Sequence, residues 1–234
     1  MALATYLDLC QQLVIDAGIS GEFTTVAGNT GEFNRVTKWI ANATREIEGL
    51  WFNWNFLHNF QTFDTVVSQS DYTPAQANAS DLNLWDKETF AIDADESSLD
   101  FVNWNDKKKD PTALVDGDPY KFSELPSKTL RLFDTPTSVI TISFEYWQKA
   151  TELALDDDEP AIPEQFRYII IAKALMYYAE YESADDADYA GIRRYAPLKL
   201  QLEASELPAH QNSSSVNTGA AIQVQSPGYD DWFE

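Results

Sequence analysis

The chain has 234 residues, 44% hydrophobic and 13% aromatic, and a formal net charge of -22. Length and apolar content suit one large domain or two small ones with a real core, not a disordered chain. With 38 acidic residues against 16 Lys and Arg, nucleic acid held through clustered phosphate contacts is excluded, although an acidic wall past which DNA slides without sticking is not.

The first segment, Ala4 to Ala17, reads as a helix. Tyr6, Leu7, Cys10, Leu13, Val14 and Ala17 recur at helical spacing and Gly18 stops it. After a Gly- and Thr-rich loop comes the cleanest stripe: Phe33, Val36, Ile40, Ala43, Ile47, Leu50 and Trp54 line one face through about six turns. Asn34, Lys38, Asn42, Arg45 and Glu48 form the opposite, polar face. At its end "GLWFNWNF" reads as a core corner filled by Trp51 and Trp54, with a sugar-stacking site as the alternative.

From Leu57 to Ala150, Pro, Asp, Asn and Ser break the chain into short strand-like pieces. The best strand is "SVITISFEYW", with Ile140, Ile142, Phe144 and Tyr146 on one face and Thr141, Ser143 and Glu145 on the other. "TLRLF" is expected to be its antiparallel partner, joined by the turn "DTPT". Helix resumes in "IPEQFRYIIIAKALMYYAEYE", apolar nearly all round and so buried on several sides, with Pro163 in its first turn. A last helix, Ala184 to Leu207, carries Tyr189, Ile192, Tyr195, Leu198 and Leu202, and Pro197 should kink or divide it.

This order predicts an α+β chain: an antiparallel helical bundle with a small inserted antiparallel β-domain and an extended C-terminal tail. The bundle's N-terminal helices take residues 1-56, the β-domain 57-150, the C-terminal helices 151-207 and the tail 208-234. The tail is polar and rich in small residues, so it is not expected to fold alone. It ends in Tyr229, Trp232 and Phe233, aromatics costly to leave in water. Either it stays solvated or these three anchor it on a neighbour.

Sites for chemistry are scarce. One cysteine, Cys10, removes any intrachain disulfide and any thiolate zinc site, and His58 and His210 are too few for a multi-histidine site. Four consecutive acids, Asp156 to Glu159, lack the Gly and alternating ligands of a calcium loop. They read instead as a hinge whose charge precedes the positive end of a helix. No phosphate-binding, dinucleotide, zincin or nucleophile-elbow motif occurs, so no catalytic residue, metal or cofactor is assigned and an enzyme is not expected. Lys107, Lys108 and Lys109 form a solvated loop tip, or a contact to an acidic partner or to DNA in transit. No signal peptide opens the sequence and no apolar run approaches the ~20 residues of a membrane span; a soluble protein of intracellular origin is expected.

Taken together, "YLDLCQQLVIDAGI", the Trp-rich "LWFNWNF", "LRLFDTPTSVITISFEYWQKATEL" and "DDDEPAIPEQFRYIIIAKALMYYAEYE" make a recognisable series. Across most of Ala4 to Leu207 the sequence resembles the adaptor, or head-completion, proteins of tailed-bacteriophage head-tail connectors. The matching positions are Leu130, Leu132 and Pro136 of an l-x-l-x-x-x-P-x hairpin, Tyr146 of an aromatic strand, and Asp158, Pro160, Ile162 and Pro163 of an acidic D-x-P-x-I-P step. Asp134-Thr135 departs from the pattern, where a more apolar or proline-containing dipeptide is expected. The resemblance implies a virion protein made in the host cytoplasm: a ring, commonly a dodecamer, docked beneath the portal, joined to a tail or neck protein below, with DNA passing through and no membrane involved. Two alternatives stand beside it. One is an acidic protein-binding module such as a DNA mimic. The other is a carbohydrate-active or carbohydrate-binding protein using exposed tryptophans such as Trp85 or Trp104 with a carboxylate pair.

Overall fold

The computed structural model describes residues 3-94, 97-107 and 116-207. The chain is α+β, with five helices and two sheets among these residues. Helix α1, Tyr6–Ala17, opens on a capping box in which Thr5 Oγ1 accepts from the Asp8 N–H and the Asp8 carboxylate accepts from the Thr5 N–H. Gly18 closes it in the left-handed region at φ 68°, which costs a residue without Cβ nothing. Helix α2, Gly31–Glu48, buries Val36, Ile40, Ala43 and Ile47 as its stripe requires. It ends earlier than the stripe predicts. Leu50 lies beyond the helix and is exposed, whereas Trp54 also lies beyond it yet is fully buried, carried back to the same core by the loop and stacked on Phe56.

After a 3-10 turn, Asn55–Leu57, the described residues form nine short strands. These are β1 His58–Asp64, β2 Asp71–Tyr72, β3 Leu82–Trp85, β4 Ala91–Ile92, β5 Ser97–Ser98, β6 Asp100–Phe101, β7 Lys121–Glu124, β8 Leu130–Phe133 and β9 Thr141–Gln148, with the four-residue helix α3, Trp104–Lys107, between β6 and β7. Strand β9 organises the first sheet. It pairs antiparallel with β1 along its whole length, His58 opposite Trp147 through Asp64 opposite Thr141, and with β3 and β4 on its other edge. The second sheet runs β2-β8-β7-β6 and is antiparallel except for the parallel pair β6 and β7. The expected β8–β9 hairpin does not form: "TLRLF" pairs with β7 and β2, and "DTPT" lies in a crossover from one sheet to the other.

The two sheets share a core because their inward faces are aromatic. Phe144 of β9 stacks on Phe90, with centroids 5.1 Å apart, and Phe90 meets Phe122 of β7 at 4.2 Å. Ile142, Phe144 and Tyr146 are buried, as the alternation predicts. A second cluster holds the helices. Helix α4, Tyr168–Glu182, follows a 3-10 turn at Glu164–Phe166 and buries Ile169, Ile170, Ile171, Ala174 and Leu175 against α1 and α2. Helix α5, Asp185–Glu206, packs on α4 and runs undivided through Pro197. It contributes only Leu202 as a large buried side chain, and leaves Tyr189 and Ile192 exposed.

Candidate functional site

Of the residues that the sequence singles out for binding, Tyr229, Trp232, Phe233, Lys108 and Lys109 lie outside the described residues, and Lys107 ends α3. Of the tryptophans proposed for sugar stacking, Trp54 and Trp85 are buried and Trp51 is exposed. Trp85 is core, with its indole N–H donating to the Lys128 carbonyl at 2.9 Å, and Trp104 lies half-buried with the Arg131 guanidinium 5.0 Å from its ring. Cys10 is buried among apolar side chains, and that burial pushes its thiol well above the ordinary range.

The acidic stretch is bound up in the fold. Asp156 accepts from the Val26 N–H at 2.6 Å and from the Thr25 hydroxyl. Asp158 accepts from the N–H groups of Ala154 and Leu155, which hold its carboxyl below the ordinary value. Glu159 meets Arg167 at 3.1 Å. Three of the four carboxylates thus bond to loops and to Arg167 in the stretch that leads into α4. It is the main chain of this stretch that serves a helix: the carbonyls of Asp158 and Asp156 accept from the Tyr6 and Leu7 N–H groups, two orphan donors of α1.

Two residues that the sequence reading passes over tie these parts together. Glu48, assigned to the polar face of α2, is buried and accepts from the Thr151 N–H at 2.6 Å and the Ala161 N–H at 3.1 Å. Desolvation raises its carboxyl above the ordinary value even though these donors pull the other way. Arg167, also buried, donates to the Ile162 carbonyl at 2.9 Å, to Pro160 at 3.2 Å and to the Ala4 carbonyl. Its fork so joins the N-terminal segment to the D-x-P-x-I-P step. The signal for Glu48 was its place four residues after Thr44, on the flank of the apolar stripe.

Around this frame the surface is unusually apolar on the helices. Tyr189 and Leu200 of α5 are each 67% exposed and Tyr181 of α4 is 52% exposed. Trp39 of α2 packs edge-on against Tyr178, and Arg35 lies 4.3 Å from the Tyr181 ring. At the corner after α2, Trp51 and Phe52 are exposed, and the Trp51 indole N–H donates to Glu203 of α5 at 2.9 Å.

One cluster of potential ligands stands out. His58 Nε2 lies 3.2 Å from Glu145 Oε2 and 3.7 Å from Asp86 Oδ2. His58 lies on β1, Glu145 on β9 and Asp86 just after β3, three laterally adjacent segments, so no spacing in the sequence announces them. Among the described residues no helix is long and apolar enough to cross a membrane.

Compared with known families, residues 4–221 match the model described as SU10 adaptor protein. No curated protein matches the chain.

Proposed function

From the premise that the chain belongs to the SU10 adaptor protein family, we propose that this phage structural adaptor works at the head-tail connector, as a ring that joins the portal to the tail or neck and lets DNA pass. The family match over nearly the whole chain carries this reading. The bundle helices would be residues 1-56 and 151-207, the inserted β-domain 57-150 and the tail 208-234. That division is supported by the two hydrophobic clusters, one drawn from Tyr6 to Leu57 and Ile162 to Leu202, the other from Phe63 to Tyr146.

Three features fit a ring subunit. Large apolar side chains stand exposed on α4 and α5, Tyr181, Tyr189, Ile192 and Leu200 among them, and would be covered by neighbouring subunits. A net charge of -22 would make a lumen that repels phosphate and keeps the conduit from holding its cargo. Tyr229, Trp232 and Phe233 would anchor the tail on the portal or a neighbour, paying the ordering cost only on docking; Lys107 to Lys109 would face a partner or the DNA. The test is mass measurement of the chain alone and mixed with the portal protein of the same phage. A ring-sized complex is expected with portal, and deletion of Tyr229 to Glu234 should abolish stable docking. A chain that stays monomeric in both mixtures refutes the ring, and a truncated chain that docks as well as the full one refutes the tail anchor.

A further inference from the structure

We propose that His58, Asp86 and Glu145 form a binding site for a first-row divalent metal ion, with Zn2+ the best fit. His58 is the first residue of β1, Glu145 lies on β9, and Asp86 follows the last residue of β3. Strand β9 is the middle of these three, with Phe60 of β1 opposite Glu145 and the Asp86 N–H donating to the Glu145 carbonyl at 3.1 Å. Pairing register thus brings to one place three donors that are far apart in sequence.

The spacing suits a small cation. The three donor atoms all lie within 4.8 Å of one another, and the two imidazole-to-carboxylate distances are 3.2 and 3.7 Å. Ligands about 2.0–2.2 Å from a tetrahedral Zn2+ sit roughly 3.3–3.6 Å apart, so only small side-chain rotations are needed to close on an ion. One imidazole and two carboxylates are a borderline donor set that favours Zn2+ over the all-oxygen Ca2+ and Mg2+. Three protein ligands leave a position open for water or for a group from a partner.

A further observation points the same way. His58 Nε2 is inaccessible to solvent and makes no hydrogen bond among the described residues, although it faces two carboxylates. The Glu145 contact is close, but it lacks the geometry of a hydrogen bond. The ring nitrogen faces two carboxylates at ion-pair distance without a hydrogen bond to either, and a cation shared by the three would satisfy it.

The surroundings hold the donors in place. Trp147 stacks on the His58 ring at 4.5 Å with 17° between planes, and Phe52 in turn meets Trp147 edge-on. Asp86 Oδ1 accepts from the Glu88 N–H at 3.3 Å, leaving Oδ2 as the oxygen nearest His58. Thr89 Oγ1 donates to the Asp86 carbonyl and accepts from the Glu145 N–H, which locks the turn after β3 against β9. Such outer contacts fix ring and carboxylate orientation before an ion arrives. Because Trp147 also packs on the helical core, a bound ion would stiffen the sheet at its junction with the helices.

The experiment uses the full chain, freed of metal by a chelator and then titrated with Zn2+, Mg2+ or Ca2+ while stoichiometry and thermal melting are followed. One Zn2+ per chain is expected, with a rise in melting temperature that Mg2+ and Ca2+ do not reproduce. His58→Gln and Glu145→Gln should each weaken Zn2+ binding at least tenfold, and His210→Gln should leave it unchanged. Co2+ serves as a readout independent of stability: the wild-type chain should develop visible absorption that His58→Gln lacks. Substoichiometric Zn2+, affinity untouched by His58→Gln and Glu145→Gln, or binding lost with His210→Gln would each overturn the assignment.

Discussion

Replacing Glu48 should reveal what joins α2 to the segment that leads from β9 into α4. In Glu48→Ala the Thr151 N–H, bonded at 2.6 Å, loses its acceptor, whereas the Ala161 N–H keeps a second one in Thr151 Oγ1 at 3.2 Å. One orphaned donor costs about 1–3 kcal/mol, and the one lost buried methylene adds roughly 0.8 kcal/mol. Against this stands relief from burying a carboxylate, whose raised pKa shows that its donors do not fully repay desolvation. The balance is a loss of about 1–3 kcal/mol, or roughly 3–9 °C in melting temperature for a chain of this size. Glu48→Gln should lose less and should also change the pH profile. Since the folded carboxyl holds its proton to higher pH than the unfolded one, the native state binds more protons within that window, and stability falls as pH rises from about 4.3 through the folded value. Urea unfolding between pH 4 and 7 should show this fall in the wild-type chain relative to Glu48→Gln, which lacks the titrating group. Equal pH slopes for the two proteins, or a Glu48→Ala chain within about 0.5 kcal/mol of wild type, would refute the reasoning.

Gly191 marks a close approach of α5 to α4, where an added Cβ would lie 2.7 Å from Met176 Cγ and 2.9 Å from the Ala172 carbonyl oxygen. Met176 can move but the carbonyl cannot, so in Gly191→Ala overpacking of about 1–3 kcal/mol should outweigh the ~1 kcal/mol of helix propensity gained. Thermal melting should fall and amide exchange in α5 should quicken; a more stable variant would show that the helices have room. Arg167→Lys keeps the charge but loses the fork that reaches Ile162, Pro160 and Ala4. A loss of about 2–4 kcal/mol is expected in denaturant unfolding, and a Lys variant as stable as wild type would mean that the fork is dispensable.

Helices were legible where burial follows local periodicity. Ile40, Ala43 and Ile47 lie on one face of α2 because a single core lies on one side of it, and the spacing records that directly. The same spacing misled at Trp54, which is buried by that core after the helix has ended. Strand pairing was less legible. Alternation identified β9 and its inward face, but alternation names no partner, and the nearest strand in sequence, β8, belongs to the other sheet. Glu48 and Arg167 escaped notice because charge predicts exposure unless partners are known, and most of their partners are main-chain groups with no sequence signature.

The same limit explains why the acidic stretch and the ligand cluster found among the described residues traded places. Asp156 to Glu159 drew attention because four carboxylates are adjacent in the chain, yet adjacency forces neighbouring side chains apart. Asp156 turns to the loop after α1, Asp158 to its own turn and Glu159 to Arg167, so these three are held apart by separate partners. His58, Asp86 and Glu145 are silent in sequence, yet the lateral spacing of strands, about 4.8 Å, is the scale on which ligands converge. In a chain so rich in acids, counting carboxylates along the sequence says little about where a cation would bind. What decides it is whether β pairing brings donors together with a nitrogen among them, and in this fold β9 does so beside the aromatic ring that fixes that nitrogen in place.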